Sequence, residues 1–235
     1  MAEKRKKNAR ICFILAAVAA LLSVLLTVLI LKVDVEPIGP EESRVGLSRL
    51  NAAVAARLAY DSFAHTLSEI FGIGALLVMA AYFCKGAWQL IKRRSVKKVD
   101  KHIILLGIFY AVLLVVYLGF DFIPVNYRPL ILDPEKGLEP SFPSSHTVLA
   151  LCVYLTLPIQ PEFTRPGREK LKRAVLAASV LLAVLTVGTR LISGVHWLTD
   201  VIGGILISAC LVALYCGVFL LSTEKRRFFG RNDEQ

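Results

Sequence analysis

One uncharged run, from Ile11 to Leu31, constrains the fold of this chain more than any other feature. It is long enough for a helix to cross the hydrocarbon core of a bilayer, which takes about 20 apolar residues. The basic flank at residues 1–10 resembles the start of a signal peptide, but the run exceeds the roughly 7–15 residues of a cleaved h-region. No small-residue cleavage pattern follows it. We therefore expect an uncleaved first transmembrane helix.

Five further apolar runs predict five more crossings. They lie at about 65–85, 102–120, 146–159, 174–191 and 197–221. The fourth is short and needs helical residues at its ends to span a membrane. The hydrophobic share of 56% excludes an ordinary soluble fold of this length. The predicted fold class is all-α: a polytopic membrane protein with a six-transmembrane-helix bundle, formed by a single domain over residues 1–235.

Basic residues are distributed unevenly among the connecting segments. Of the 28 Lys and Arg residues, 21 lie in residues 1–10, 85–101, 160–173 and 222–235. The positive-inside rule therefore predicts a multi-pass cell-membrane protein whose termini, the tails 1–10 and 222–235, are cytoplasmic. The net charge of +10 does not indicate nucleic-acid binding, because no basic run carries aromatic residues suited to base stacking.

Three segments then fall on the extracytoplasmic side, at about 33–64, 121–145 and 190–197. In the first, prolines and a glycine precede residues 45–63, whose apolar positions recur near helical spacing. This pattern predicts an extracytoplasmic amphipathic helix in the membrane interface, with Ser43 as its candidate cap. A plain connector that dips into the headgroups fits the same residues.

The third segment brings a histidine and an aspartate into helical register. His196 and Asp200 are four residues apart and share one face if the last helix begins near His196. Asp200 can then accept a hydrogen bond from one ring nitrogen and leave the other free to attack phosphorus. Arg190, at the outer end of the preceding helix, carries a guanidinium whose planar fork matches phosphate oxygens. His196 is the candidate nucleophile.

The segment SFPSSHT places another histidine at a helix start. Pro143 ends the loop, so the first N–H groups of the helix lack intrahelical partners and can bind an anion. Ser144 and Ser145 can add hydroxyl donors, and His146 can protonate a departing alcohol oxygen. Each signal is weak alone. Ionisable residues collected at the outer ends of apolar spans are costly without partners, which favours a functional site.

Together with Arg128-Pro129, these segments resemble the motifs of the phosphatidic acid phosphatase type 2 and vanadium haloperoxidase superfamily. The family motifs are Lys-x6-Arg-Pro, Pro-Ser-Gly-His and Ser-Arg-x5-His-x3-Asp, and the resemblance covers residues 121–200. It implies a six-helix membrane protein with its site on the outer side, and neither a metal nor a cofactor. The implied phosphate ligands are Arg128, Arg190, Ser144 and Ser145, the last through its amide. The implied reacting groups are His196, which forms a phosphohistidine, His146 as the acid, and Asp200 as support for His196.

Three positions depart from the family pattern. Thr189 replaces serine and Ser145 replaces glycine, both tolerable in size. Asp121 stands where the first motif has lysine, so an anion replaces a cationic phosphate ligand. Three explanations stay open: another cation such as Lys136 substitutes, Asp121 contacts a cationic part of the substrate, or catalysis is weakened. We expect Asp121 to tune substrate choice.

The resemblance implies a phosphatase acting on a lipid phosphate such as phosphatidate, phosphatidylglycerophosphate or a polyprenyl pyrophosphate. One alternative is a lipid phosphotransferase that uses the same phosphohistidine. Another is a catalytically impaired lipid-binding or transport protein. Six membrane spans favour a lipid substrate over the soluble oxidation of a haloperoxidase. The expected partners are the lipid phosphate and the bilayer, and the sequence is silent on the oligomeric state.

Overall fold

The structure, a computed structural model, describes residues 2–222, and for Asp121 it describes the backbone only. Eight α-helices lie in this range. In chain order they are α1 (Ala2–Lys32), α2 (Ser48–Ala55), α3 (Ser62–Arg93), α4 (Lys101–Phe122), α5 (Ser145–Thr156), α6 (Pro161–Thr164), α7 (Glu169–Ile192) and α8 (Leu198–Ser222). Apart from Ser222, the predicted cytoplasmic tail 222–235 lies outside the described residues.

Within residues 2–222, six helical spans are long and apolar enough to cross a membrane. They are α1, α3, α4, the stretch from α5 through α6, α7 and α8. The short fourth apolar run is extended at its C-terminal end, where a 3-10 turn at Leu157–Ile159 leads into α6. Pro158 and Pro161 stand at the starts of these two short segments, where a missing N–H costs no helical bond. The prediction of an all-α bundle with six membrane helices is confirmed.

Helix α8 packs along α1 and against α5. Its glycines allow close approach: a Cβ on Gly217 would lie 2.8 Å from the Phe13 ring, and one on Gly204 would lie 2.9 Å from the Thr147 side chain. The apolar core formed with α4 and α5 consists of Leu106, Phe109, Leu113, Val148, Cys152, Ile207, Leu211 and Tyr215. Because α5 also packs against α3 and α7, the helix that begins at Ser145 has neighbours on several sides.

The helix predicted between the first two membrane spans is present, but it is shorter than expected and the predicted cap was wrong. Ser43 follows the 3-10 turn Pro40–Glu42 and precedes α2 by several residues. The first turn of α2 is instead capped by Asp34, whose Oδ2 accepts from the Arg49 amide at 2.8 Å. The buried side chain of Asn51 explains where α2 lies, since its Nδ2 donates to Thr199 Oγ1 at 3.0 Å. This bond holds α2 against the start of α8.

The three segments predicted to share one side of the membrane meet at one end of the bundle. Trp197, just before α8, donates from Nε1 to the Tyr127 carbonyl at 2.7 Å. The Ser144 amide, just before α5, donates to the Asp200 carbonyl at 3.0 Å. These bonds join the loop after α4, the start of α5 and the start of α8, which carry the three motifs.

At the opposite end of the bundle, one carboxylate connects α6 to α3 and α4. Glu162 of α6 contacts Lys85 of α3, and its Oε1 lies 3.1 Å from His102 Nε2 on α4. His102 is at the second position of α4, and the motifs follow the other end of that helix. At about 1.5 Å per residue, this puts His102 roughly 30 Å from the motif end.

Candidate active site

The loop after α4 carries Arg128 toward the start of α5 by antiparallel pairing. The Arg128 amide donates to the Glu139 carbonyl at 3.0 Å, and the Ser141 amide donates to the Asn126 carbonyl at 2.9 Å. Nε of Arg128 lies 3.5 Å from Oε2 of Glu139, which is an ion-pair contact and not a directed hydrogen bond. Among the described residues, Nε and Nη1 of Arg128 are buried with no hydrogen-bond partner. Two guanidinium donors are therefore available to an anion.

The start of α5 presents its two serines differently. Ser144, in the capping position, is fully buried, and its hydroxyl accepts a hydrogen bond from Thr147 Oγ1 at 3.0 Å. Ser145 lines the cavity described below. The first bond of the helix runs from the Val148 amide to the Ser144 carbonyl, so the preceding amides have no intrahelical acceptor. This arrangement does not favour direct phosphate contact through the Ser144 hydroxyl; it favours Ser145 and the amides beside it.

His196 lies in the turn between α7 and α8 and is 5% exposed. Its Nδ1 is 3.6 Å from Oδ2 of Asp200, close enough for an ion pair but too long for a hydrogen bond. The same Oδ2 accepts a hydrogen bond from the Trp197 amide at 3.0 Å, and Oδ1 accepts one from Asn126 at 3.3 Å. Asp200 is therefore fixed at the start of α8 with its carboxylate beside Nδ1, and Nε2 is the ring nitrogen without a neighbouring carboxylate.

The surroundings of His196 favour a neutral imidazole. Burial, followed by the positive charges of Arg190 and Arg128, holds the pKa of His196 well below its usual value. Within the described part of the chain, neither ring nitrogen has a hydrogen-bond partner. A neutral ring keeps a lone pair on one nitrogen, which a nucleophile needs.

Arg190, in the last turn of α7, is 1% exposed and is surrounded by groups from α3. Its Nη1 donates to Ser68 Oγ and to Glu69 Oε1, both at 2.9 Å, and lies 3.3 Å from His65 Nδ1. Nε of Arg190 is buried without a partner among the described residues. One edge of the guanidinium is thus held by α3, while Nε remains available.

Glu69 is the site residue that the sequence motifs did not reveal. Its Oε2 accepts a hydrogen bond from His146 Nε2 at 3.0 Å, in addition to the bond from Arg190. Gly72, one turn further along α3, makes room for the same ring: a Cβ there would lie 2.6 Å from His146 Cδ2. A signal was present, because Glu69 is the only Asp, Glu, Lys or Arg residue between Asp61 and Lys85. An ionisable residue within a membrane span is a functional candidate by default.

A cavity of about 480 Å³ joins these groups to an apolar wall. Its polar part includes Glu69, Arg128, Glu139, Ser145, His146 and His196. Its apolar part is formed mainly by α3, α4 and α5 and includes Ile73, Leu76, Met79, Leu113, Val116, Phe120 and Leu149. The arrangement suits a ligand that has an anionic group and a hydrocarbon chain.

The remaining predicted residues lie beside this cavity or away from it. Arg190 and Asp200 do not line the cavity but contact residues that do. Arg190 contacts Glu69, and Asp200 contacts His196. The Asp121 side chain is outside the described residues. Lys136 does not line the cavity; it is exposed, and its Nζ lies 3.8 Å from Asp133 Oδ2. No group of three or more His, Cys, Asp or Glu residues in the range 2–222 is placed to hold a metal ion.

Comparison with known proteins shows that the part of the chain with the three motifs is similar to a known family. The model of the PAP2 superfamily matches residues 121–224, which contain all three motifs. This match, which covers less than half of the chain, confirms the resemblance to the superfamily that was drawn from the motifs. The matched region does not include α3, so Glu69 lies outside it.

Two matches come from Bacillus subtilis, one to a curated protein and one to a crystal structure. Phosphatidylglycerophosphatase B of strain 168 is 36% identical over 92 residues, which cover 39% of this chain and 43% of that protein. The matched segment therefore spans less than half of this curated relative. The crystal structure of the first transmembrane PAP2 type phosphatidylglycerolphosphate phosphatase matches with a TM-score of 0.55 and 20% identity, over 90% of this chain and 96% of that one. This second likeness shows the fold.

Proposed function

We propose that this protein is a lipid phosphatase that hydrolyses a phosphate monoester or pyrophosphate at the end of a lipid. The observation that carries the proposal is the cavity, which joins His196, His146 and Arg128 to an apolar wall of membrane helices. A phosphate headgroup fits its polar part and an acyl or prenyl chain fits its apolar part. The polar groups alone would suit any phosphate ester, and the apolar wall favours a lipid.

In the first step of the proposed reaction, Nε2 of neutral His196 attacks phosphorus. The N–P bond forms as the P–O bond to the leaving alcohol breaks, and His146 donates a proton to the departing oxygen. Asp200 stabilises the positive charge that develops on the His196 ring from its position beside Nδ1. The products of this step are a phosphohistidine and a free lipid alcohol.

In the second step, His146 takes a proton from a water molecule whose oxygen attacks phosphorus. The N–P bond breaks, inorganic phosphate leaves, and His196 returns to its neutral form. Charge on the equatorial oxygens is stabilised by Arg128, Arg190 and the amides at the start of α5. The proposal thus assigns charge stabilisation to protein groups and includes no metal ion.

The lipid class is the finer part of the proposal. Both Bacillus subtilis relatives are named for phosphatidylglycerophosphate, which makes that lipid the first substrate to test. Phosphatidate and a polyprenyl pyrophosphate present the same terminal phosphate and complete the panel. Asp121 stays in the proposal as the position that tunes the choice among them, and an unchanged substrate profile in Asp121→Lys would count against that role.

The site is proposed to face the extracytoplasmic side, with both termini in the cytoplasm. The support is the charge distribution: the basic segments 85–101 and 160–173 lie at the bundle end opposite the motifs. Cysteine-reactive labelling of single-cysteine variants in intact cells checks this orientation. Labelling of a cysteine in the 129–140 loop by an impermeant reagent is the expected result, and protection there with labelling at 95–98 would reverse it.

The activity is tested by release of inorganic phosphate from the three lipids by the purified full chain in detergent. His196→Ala is expected to lose activity by more than about 10³-fold, because the nucleophile is absent. His102→Ala, at the opposite end of the bundle, is the matched histidine control and is expected to stay near the wild-type rate. Equal activity in wild type and His196→Ala would contradict the mechanism, and phosphate retained on a second lipid would indicate transfer.

A further inference from the structure

The carboxylate of Glu69 occupies a position between the two groups that handle the leaving group and the phosphate. Its two oxygens are used separately: Oε2 accepts from His146 at 3.0 Å, and Oε1 accepts from Arg190 at 2.9 Å. Both partners belong to the region matched by the family, whereas Glu69 comes from α3, which precedes that region. A carboxylate on the wall of an anion-binding cavity disfavours substrate binding by charge, so its presence calls for a compensating role.

We propose that Glu69 is the positioning residue of the general acid: it holds His146 by Nε2 and leaves Nδ1 to exchange the proton with the leaving oxygen. A carboxylate can only accept, so Nε2 must carry a hydrogen in this contact. The proton therefore moves through Nδ1, which is buried and has no hydrogen-bond partner among the described residues. This inference rests on the proposed phosphatase function and adds a residue to it.

The two steps balance in protons without any proton transfer to Glu69. In the first step Nδ1–H protonates the leaving oxygen while Nε2–H stays bonded to Glu69. In the second step Nδ1 recovers a proton from the attacking water. The carboxylate stabilises the doubly protonated ring that precedes the first step and follows the second, and it fixes the tautomer in between, as the aspartate of a serine-protease triad does for its histidine.

The packing around His146 supports a fixed ring. Gly72 leaves room for the imidazole edge where any Cβ would clash, so α3 contributes both the hydrogen-bond acceptor and the surface against which the ring lies. Ser68, the residue before Glu69 in α3, accepts a hydrogen bond from Arg190, and within residues 2–222 it makes none to His146. The two neighbours Ser68 and Glu69 therefore separate two roles: Ser68 acts on the phosphate ligand alone, and Glu69 also acts on the acid.

Leaving-group dependence tests the proposal, because only a poor leaving group needs protonation. We would measure kcat/KM, which reports steps up to formation of the phosphohistidine, with octyl phosphate and with para-nitrophenyl phosphate. Glu69→Gln is expected to lower kcat/KM for octyl phosphate by about 10- to 100-fold and for the nitrophenyl ester by less than about threefold. Ser68→Ala, the matched control, is expected to lower both values by the same factor.

A second arm tests whether Glu69 acts through His146. Once His146→Ala has removed the acid, adding Glu69→Gln is expected to change kcat/KM for octyl phosphate by less than about threefold, because only the contact with Arg190 is then left to lose. Glu69→Asp keeps the charge on a shorter side chain and is expected to recover part of the rate. Thermal unfolding of each variant in the same detergent shows that a folded protein is compared.

Several results would overturn the proposal. Equal losses on both substrates would give Glu69 a merely structural role, and additive losses in the double variant would separate it from His146. If Glu69→Gln leaves kcat unchanged and inorganic phosphate inhibits the variant more tightly, then the substrate phosphate merely displaces the Glu69 carboxylate when it binds. If the wild type is active and Glu69→Gln has the same activity, this inference alone is wrong. If the wild type is inactive on every lipid phosphate, the proposed function and the inference are both wrong.

Discussion

The cavity contains two histidines, each beside a carboxylate, and the two pairs are built in different ways. His196 and Asp200 lie within one turn of sequence, and their side chains are 3.6 Å apart. His146 and Glu69 are 77 residues apart, come from α5 and α3, and are joined by a 3.0 Å hydrogen bond. The first pair lies wholly inside the family region and the second reaches outside it. The proposed nucleophile is thus supported by a residue close to it in sequence, whereas the proposed acid depends on a contact between two different helices.

The largest effect on activity is expected from substitutions in the local pair, His196 and Asp200. Asp200→Asn is expected to lower kcat on the order of 100-fold, less than the ~10⁴-fold of a triad aspartate, because Nδ1 and Oδ2 are beyond hydrogen-bond distance. The asparagine still offers an oxygen to the Trp197 amide. Asp200→Ala removes that acceptor as well and is expected to cost a further ~1 kcal/mol of unfolding free energy.

Activity and thermal unfolding measured on both Asp200 variants separate the two roles. Similar kcat values with different melting temperatures are expected. A wild-type kcat in Asp200→Asn would show that the carboxylate only caps α8.

A smaller effect is expected from the packing of the distant pair. Gly72→Ala puts a methyl group 2.6 Å from His146 Cδ2, so the ring must shift. We expect kcat to fall by about tenfold, below the ~10²-fold that a 1 Å misplacement can cost, because the ring can tilt around the methyl group. Gly188→Ala is the matched control, since a Cβ there meets nothing within 4 Å.

The control should keep its activity and gain about 0.5–1 kcal/mol of stability from its better helix propensity. The assay is phosphate release together with thermal unfolding. An active Gly72→Ala would show that the position of His146 tolerates movement, which would weaken the contrast between the pairs.

The smallest effect concerns the charge state of His196. Its neutral form is the proposed nucleophile, so activity is expected to be lost as pH falls through its pKa, and a lowered pKa preserves activity to lower pH. Arg128→Gln removes one of the positive charges that lower this pKa. The acid limb of kcat/KM is therefore expected to move to higher pH, by about one unit or less, because burial is the larger cause.

The pH profile of wild type and Arg128→Gln would be measured with one substrate, so that its own ionisation is common to both. Arg168→Gln, whose guanidinium bonds to Glu162 at the opposite end, serves as the charge control. An acid limb that stays in place or moves to lower pH would contradict the assignment of His196 as the titrating nucleophile.

Much of this arrangement could be predicted from local patterns. Six apolar runs of sufficient length define the bundle, and the spacing of His196 and Asp200 brings them together at the start of α8. Contacts between helices could not be predicted in the same way. The hydrogen bond that Glu69 accepts from His146 depends on how α3 packs against α5. The Ser144 hydroxyl is buried and accepts a hydrogen bond from Thr147, one turn later. At the start of α2, likewise, the Arg49 amide is bonded by Asp34 from the end of the preceding span, and not by the local cap expected at Ser43.

Direct detection of the covalent intermediate tests the central claim, that His196 attacks phosphorus. His146→Ala is the form of choice, because with para-nitrophenyl phosphate the first step needs no acid while the second lacks its base. Rapid acid-free quenching followed by peptide mass spectrometry is expected to find phosphate on His196, accumulating in step with nitrophenol release. Release of nitrophenol with no phosphorylated His196, or the same phosphopeptide signal from a His146→Ala/His196→Ala double variant, would contradict it.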